Sequence, residues 1–220
     1  TLSSSSAASD VYKRQDYEAM KAAGKRAHAL GHPIVIDPVG VSGSSYRREK
    51  CLELMKIIHP TCIRGNYSEI QALLHNCGTV TGVDAAEDAL AEAEETDLPE
   101  LMKQYAKENQ MILVASGETD LITDGSCVYR CHNGSPMMAR ITGSGCMSTV
   151  MLGAFLSAEN SVESAVACCA FTGIAGELAA KEMTAQKRGT MTFRNWFIDA
   201  VSLMTCLLYT SPSPRDKRQS

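Results

Sequence analysis

The feature that most restricts the possible folds of this chain is the alternation of short apolar runs with longer helical patterns. Pro33–Ile36 is rich in β-branched residues and ends at Asp37-Pro38, as a buried parallel strand does, and Met111–Ala115 is a second such run. Tyr17–Leu30 is rich in Ala, Lys and Glu and stops at Gly31, which suits a helix C-terminus. Alternation of this kind is typical of a sheet covered by helices.

The rest of the chain follows the same pattern. Asn66 and Glu69 have the spacing of a capping box, and Asp124-Gly125 is a strong hairpin signal. The last third, after Gly145, has only helical periodicity, so a single α/β domain is predicted. The predicted strands are Pro33–Ile36, Thr61–Ile63, Met111–Ala115, Asp120–Thr123 and Cys127–Cys131. The predicted helices are Tyr17–Leu30, Tyr46–Ile58, Ser68–Leu74, Leu98–Asn109, Cys146–Ser157, Val162–Lys181 and Phe193–Leu203.

Charge and cysteine content argue against several classes of protein. A net charge of −4 gives no electrostatic basis for binding nucleic acid or an anionic membrane. No apolar run reaches the ~20 residues that a membrane-spanning helix needs. The nine cysteines include no C-x-x-C pair and no zinc-type spacing to histidine. Most of them lie in apolar runs, so we expect reduced core thiols and a cytoplasmic protein.

The two ends differ in character from the middle. Thr1–Gln15 and Cys206–Ser220 lack a core pattern, which by itself indicates two tails without packed structure. In addition, Asp10–Gln15 and Cys206–Thr210 can be encoded by the two complementary strands of one DNA string, and that string resembles a transposon adapter used in sequencing libraries. We therefore expect residues 1–15 and 206–220 to be non-native and Asp16–Thr205 to be the native, partial domain.

The segment Ile141–Cys146 has the strongest chemical signal. Gly143 and Gly145 let the backbone come close to a ligand, and the apolar helix that follows presents free N–H groups and a positive dipole. That combination suits a phosphate, and it favours the thiolate of Cys146 as a base or nucleophile. A purely structural alternative, a tight turn followed by a cysteine in the core, explains the same residues equally well. No Gly-Lys-Ser/Thr follows, so this is not a Walker A loop.

Three other polar residues directly follow predicted strands, where α/β sheets place ligand groups. Asp37 would suit a metal or simply form the turn, and Arg64 would grip a phosphate or form a surface ion pair. Glu69, in the predicted helix Ser68–Leu74, is explained by the capping box alone, and Ser116 begins either a ligand loop or an ordinary turn.

Taken together, these segments are much more specific than any one alone. In order and spacing they resemble the hydroxyethylthiazole kinases, which have the ribokinase-like α/β fold, and the resemblance covers essentially all of Asp16–Thr205. The segments that carry it are Asp37-Pro38-Val39-Gly40-Val41, Ser45-Tyr46-Arg47, Ile63-Arg64-Gly65-Asn66, Glu69-Ile70, Gly82-Val83-Asp84, Ser116-Gly117-Glu118, Thr142-Gly143-Ser144-Gly145-Cys146 and Gly173-Ile174-Ala175-Gly176-Glu177.

The resemblance implies transfer of the ATP γ-phosphate, with Mg²⁺, to the hydroxyl of 4-methyl-5-(2-hydroxyethyl)thiazole. It implies that Arg64 and Ser116 contact the ATP phosphates and that the Gly143 backbone touches the substrate. Asp37 and Glu69 would organise the metal, and Cys146 would act as the base. It also implies a homotrimer with a site between subunits. Such chemistry needs positioning and charge neutralisation above all.

The chain departs from the family pattern at several positions. Ser116 stands where Thr is usual, Ser135 where His is usual, and Gly189–Phe193 loosens a Gly-Pro-Gly-Ser-Phe motif. The family's N-terminal portion, with its first strands and part of the thiazole pocket, is absent before Asp16.

Three rival interpretations follow from these observations. The first is another ribokinase-like kinase, of the hydroxymethylpyrimidine or pyridoxal type, although such kinases have Asp where this chain has Cys146. The second is an inactive fragment. The third is a thiol-dependent acyl-transfer enzyme, which would need a general base beside Cys146.

Overall fold

The computed structural model of the chain describes the backbone of residues 4–75 and 98–210, and the side chains within 15–75 and 98–204. Its helices are α1 (Ser4–Ala29), α2 (Ser45–Ile58), α3 (Tyr67–His75), α4 (Leu98–Asn109), α5 (Ser144–Ala158), α6 (Val162–Ala185) and α7 (Thr190–Thr210). Its strands are β1 (Val35–Ile36), β2 (Cys62–Asn66), β3 (Ile112–Ser116), β4 (Asp120–Thr123) and β5 (Val128–Cys131). A 3₁₀ helix, Pro136–Arg140, precedes α5.

The five strands form one sheet in the order β1-β2-β3-β4-β5. β1, β2 and β3 are parallel, with Ile63 opposite Leu113 in the middle of the β2–β3 pair. β4 and β5 continue the sheet as the predicted antiparallel hairpin, and Gly125 in its turn has a φ of 95°. The strands are connected by helices wherever they are parallel, as the geometry of parallel pairing requires.

Helices cover both faces of this sheet because successive strand side chains point to opposite sides. Ile63 and Leu113 pack with α2, α3 and α4 on one face. Their neighbours Cys62 and Ile112 pack with α5 and α6 on the other face. α7 packs outside α6, with Phe193 fully buried between them. The predicted ribokinase-like α/β class is therefore the observed architecture.

Two glycines of α6 allow the loop that follows β5 to pack closely against this helix. The Asn133 side-chain amide donates to the Ala170 carbonyl at 2.7 Å, and a Cβ on Gly173 would lie 2.3 Å from that amide nitrogen. The Gly134 N–H donates to Glu177 Oε1 at 2.9 Å. A Cβ on Gly176 would lie 2.5 Å from the sulfur of Met138. The Gly-rich segment of α6 thus accommodates residues 133–138 at close range.

The predicted element bounds agree with the observed ones to within a few residues, except at the two ends. α1 already begins at Ser4 and α7 runs to Thr210, so neither helix has a boundary at Asp16 or Thr205. The side chains of residues 1–14 and 205–220 lie outside the described part, and their lack of packing stays a prediction. The Gly82-Val83-Asp84 segment and the acidic stretch before Leu98 also lie outside it.

Within the described residues, one helix is long and apolar enough to span a membrane by length and composition. It is α6, whose most apolar window has a mean hydropathy of 1.3 and is half buried inside the fold. Its buried residues Ala165, Cys168 and Ala179 contact the sheet or α7. α6 therefore serves as a core helix of this domain.

Candidate active site

The polar residues singled out in the sequence meet at one edge of the sheet. Asp37 follows β1, Arg64 lies in β2, and Ser116 ends β3. Because these strands are parallel, their carboxyl ends lie side by side, and the N-terminus of α5 comes down onto the same edge. The fold thus brings the candidate residues from four separate segments to one place.

Glu69 is both a helix cap and a clamp between two loops. Its backbone N–H donates to Asn66 Oδ1 at 2.9 Å, and its Oε2 accepts from the Asn66 N–H at 3.0 Å, which is the predicted capping box. Its other oxygen, Oε1, accepts from the Gly40 N–H at 2.8 Å. Glu69 is only 9% exposed, and its two oxygens together hold the loop after β1 against the start of α3.

Arg64 reaches from β2 to the first turn of α5. Its Nη1 donates to the Gly145 carbonyl at 3.2 Å and to the Thr149 hydroxyl at 3.3 Å. The guanidinium has further N–H groups that these contacts do not use. A half-buried cation therefore lies beside the helix terminus that was expected to bind a phosphate.

Asp37 lies half-buried across from the same helix. Its Oδ2 accepts from the Thr149 hydroxyl at 2.9 Å, and within the described residues no hydrogen bond reaches its Oδ1. Burial raises the pKa of this carboxyl above its usual value, while the Thr149 hydrogen bond and the Arg64 charge oppose that rise. The Glu69 charge is near enough to raise it further.

The start of α5 leaves its first backbone N–H groups without a side-chain cap. Gly143 is the N-cap residue, with a φ of 94° that favours glycine, and no side-chain hydrogen bond caps this end. Cys146, in the first turn, is exposed to solvent. The terminus therefore offers an exposed thiol, free N–H groups and a positive dipole end within one turn.

Ser116 opens the loop between β3 and β4. Its hydroxyl donates to the Gly65 carbonyl at 3.2 Å, which ties the end of β3 to β2. Tyr67 packs against this loop. Its hydroxyl donates to the Thr119 carbonyl, and its ring lies so close to Gly117 that a Cβ there would be 2.9 Å from it. Ser116 thus sits on a braced loop beside Arg64.

Two residues of this site were missed in the sequence. Thr149 bridges Asp37 and Arg64 through its hydroxyl. In the sequence, a threonine inside an apolar helix is typical of a core residue, and only its position one turn after Gly145 could have indicated a role in the site. Asp120 accepts from the Gly117 N–H at 3.0 Å, and burial raises the pKa of its carboxyl while Arg64 lowers it. Asp120 was read only as the start of a hairpin strand.

The two carboxylates fit one kind of metal. Within the described residues, no group of three or more His, Cys, Asp or Glu side chains is arranged to hold an ion. Asp37 and Glu69 provide oxygen ligands only, and Asp37 has an oxygen without a hydrogen bond. Mg²⁺ is commonly held by one or two carboxylates together with substrate phosphates and water, so the residues suit Mg²⁺ that arrives with a nucleotide.

Comparisons with known proteins identify relatives of this chain. The chain is 37% identical over 187 residues to hydroxyethylthiazole kinase from Clostridium acetobutylicum, covering 84% of this chain and 68% of that protein. It is 36% identical over 211 residues to hydroxyethylthiazole kinase 1 from Methanosphaera stadtmanae, covering 93% and 74%.

A solved structure of hydroxyethylthiazole kinase from Pyrococcus horikoshii superposes with a TM-score of 0.67 at 28% identity, covering 82% of this chain and 65% of that one. The chain thus spans about two thirds of the length of these proteins. The hydroxyethylthiazole kinase family profile matches residues 11–206, which include every site residue described above, and the chain therefore belongs to the hydroxyethylthiazole kinase family.

Proposed function

We propose that the full-length protein transfers the γ-phosphate of ATP to the hydroxyl of 4-methyl-5-(2-hydroxyethyl)thiazole, a step of thiamine biosynthesis or salvage. The observation that carries this proposal is the Arg64 guanidinium, 3.2 Å from the Gly145 carbonyl in the first turn of α5. A cation, a helix N-terminus and an exposed thiol meet there. The cation and the helix N-terminus can stabilise the charge on a phosphoryl group in transfer, and the thiol can accept the proton of the alcohol.

Arg64 and Ser116 form the phosphate side of the site. The guanidinium N–H groups left free by Gly145 and Thr149 are donors for phosphate oxygens, which Arg binds with charge-assisted hydrogen bonds. The Ser116 hydroxyl, on the neighbouring strand end, is a second donor. The uncapped N–H groups after Gly143 would stabilise the charge on the phosphoryl group in transfer.

Asp37 and Glu69 form the metal side. Asp37 would hold Mg²⁺, directly or through water, with its free oxygen, while Glu69 keeps the adjoining loop in place through its two backbone hydrogen bonds. When bound, Mg²⁺ would neutralise charge on the phosphates. Glu69 acts chiefly through the loop it clamps, because both of its oxygens already accept hydrogen bonds.

Cys146 is the proposed base. Its thiol is exposed in the first turn of α5, next to the Gly143 backbone that would touch the thiazole substrate. A thiolate there would accept the proton of the substrate hydroxyl as that oxygen attacks the γ-phosphate. The proton ends on sulfur, and no covalent bond to the enzyme forms.

Exposed apolar side chains support the further proposal of a homotrimer. Val150 is 74% exposed one turn after Cys146, and Ile174 and Leu178 on α6 are also exposed. Apolar residues on such helices are typical of surfaces that another subunit covers. We also propose a cytoplasmic location, supported by the free cysteines within the described residues, three of which are buried.

The test compares two forms of the protein. One is the chain of 220 residues, and the other is a full-length form in which the N-terminal portion of the C. acetobutylicum relative precedes Asp16. β1 pairs on one side only within the described sheet, so we expect the shorter form to aggregate or to be nearly inactive. We expect the full-length form to phosphorylate the thiazole alcohol when ATP and Mg²⁺ are supplied.

Phosphate transfer is followed by mass spectrometry of the product, with hydroxymethylpyrimidine and pyridoxal as competing substrates. Preference for either competitor would contradict the proposed substrate. A phospho- or acyl-cysteine trapped at Cys146 would contradict its role as base.

A further inference from the structure

The hydroxyl of Thr149 joins residues that come from three different elements. Its Oγ1 lies 2.9 Å from Asp37 Oδ2, after β1, and 3.3 Å from Arg64 Nη1, in β2. It also lies 3.1 Å from the Gly145 carbonyl of its own helix. Asp37 is 112 residues away from Thr149 in the sequence, so this contact exists only in the folded domain.

The directions of these hydrogen bonds are fixed by chemistry. Arg64 can only donate, so the Thr149 oxygen accepts from it. The single hydroxyl proton of Thr149 goes to Asp37, which is both the nearer acceptor and the charged one. The result is a chain of donors from Arg64 through Thr149 to Asp37, in which each bond strengthens the next.

This bridge replaces a direct ion pair. Within the described residues, no contact under 4.0 Å joins the Arg64 guanidinium to the Asp37 carboxylate. The two charged groups therefore keep their remaining donors and acceptors free for a ligand. Their relative positions are set by one hydroxyl on the helix that also carries Cys146.

We propose that Thr149 is a positioning residue for MgATP, whose hydroxyl holds Asp37 and Arg64 in register with the first turn of α5. This inference rests on the proposed kinase activity and extends it to a residue that acts through Asp37 and Arg64. A conformational error of even 1 Å in such a site is costly, because phosphoryl transfer depends on alignment.

The neighbouring Ser148 is a matched control on the same helix. Its hydroxyl donates to the Ser144 carbonyl at 2.8 Å, four residues back, and its side chain is 5% exposed. Hydroxyls that bond in this way only satisfy themselves within the helix. Ser148→Ala therefore measures the loss of an α5 hydroxyl without the loss of a bridge.

The experiment uses the full-length form defined above and measures the Kd for MgATP by calorimetry and the melting temperature of each variant. Thr149→Val keeps the shape and removes the hydroxyl, so we expect Kd to rise about tenfold or more, as for the loss of a hydrogen bond to a charged group. Thr149→Ser should restore the wild-type Kd to within about threefold, and Ser148→Ala should leave it unchanged. In the kinase assay, the KM for ATP should follow the Kd across the series.

The Kd values of the Thr149 variants decide whether this residue positions Asp37 and Arg64. Wild-type affinity in a folded Thr149→Val variant would overturn the positioning role, as would failure of Thr149→Ser to restore binding. If Thr149→Val does not fold, Thr149→Ala is measured instead with the same expectation. A wild-type protein that binds no MgATP would overturn the proposed kinase function itself, whatever the variants do.

Discussion

Replacing Gly173 with alanine tests how closely the loop after β5 is seated on α6. The added Cβ would lie 2.3 Å from the Asn133 amide nitrogen, so the amide must move and lose its 2.7 Å hydrogen bond to the Ala170 carbonyl. Alanine in a helix interior gains about 1 kcal/mol over glycine. Against that, crowding costs about 1–3 kcal/mol, and the lost hydrogen bond costs about 1 kcal/mol more. We expect a net loss of about 1–3 kcal/mol.

Gly153 in α5 provides the same substitution without the crowding. Among the described residues, a Cβ there would meet only Val35, at 4.0 Å. Gly153→Ala should therefore keep the helix gain and raise stability by about 1 kcal/mol. The two alanine variants should differ by about 2–4 kcal/mol, or several degrees in melting temperature, although they make the same chemical change.

Urea unfolding of both variants measures this difference directly. An Asn133→Ala background removes the group that crowds Gly173, so in that background Gly173→Ala should stabilise the protein almost as much as Gly153→Ala does. If Gly173→Ala stabilises the protein in the wild-type background, the close seating of the loop on α6 is refuted.

Three shorter predictions concern the site and the core. Cys146→Ala should lower kcat by about 10²–10⁴-fold, while Cys146→Asp should keep substantial activity, because a carboxylate also accepts a proton. Steady-state kinetics measure both, and wild-type turnover in the Cys146→Ala variant would exclude Cys146 as the base. Glu69→Gln places an amide NH₂ donor opposite the backbone N–H of Gly40 or Asn66, so one hydrogen bond is lost. The free energy of unfolding, measured in urea, should fall by about 1–3 kcal/mol. An unchanged midpoint of urea unfolding would contradict the role of Glu69 as a clamp. Burial raises the pKa of Cys168 from 9.0 to about 11, so its contribution to stability is complete below pH 9 and is lost as pH rises through 11. Unfolding at pH 8 to 10 should show a decline that Cys168→Ala makes shallower, and equal slopes in the two proteins would count against this assignment.

The element pattern was largely predictable because it depends on local signals. The capping box of Asn66 and Glu69, the left-handed Gly31 and the Asp124-Gly125 turn all appear as the residue types require. Cys168 and Cys169 were predicted to be core thiols, and both are buried.

The site was predictable only as a set of positions. The resemblance named Asp37 and Arg64, but their connection through Thr149 depends on how α5 docks on β1 and β2, which no local pattern encodes. Glu69 was predicted to complete a capping box, and its hydrogen bonds to Asn66 and Gly40 show that the capping box is formed and that Glu69 also contacts a second loop.

The placement of α5 also bears on the order in which the domain folds. Its contacts to Arg64 close loops of 81 and 85 residues, and its contact to Asp37 closes one of 112. Loop-closure entropy disfavours such distant pairings until nearer contacts have formed, so we expect β2, β3 and the β4–β5 hairpin to assemble first. An intermediate of that kind would already have these strands paired but would lack the proposed nucleotide site, so nucleotide should stabilise only molecules that have completed the final docking step.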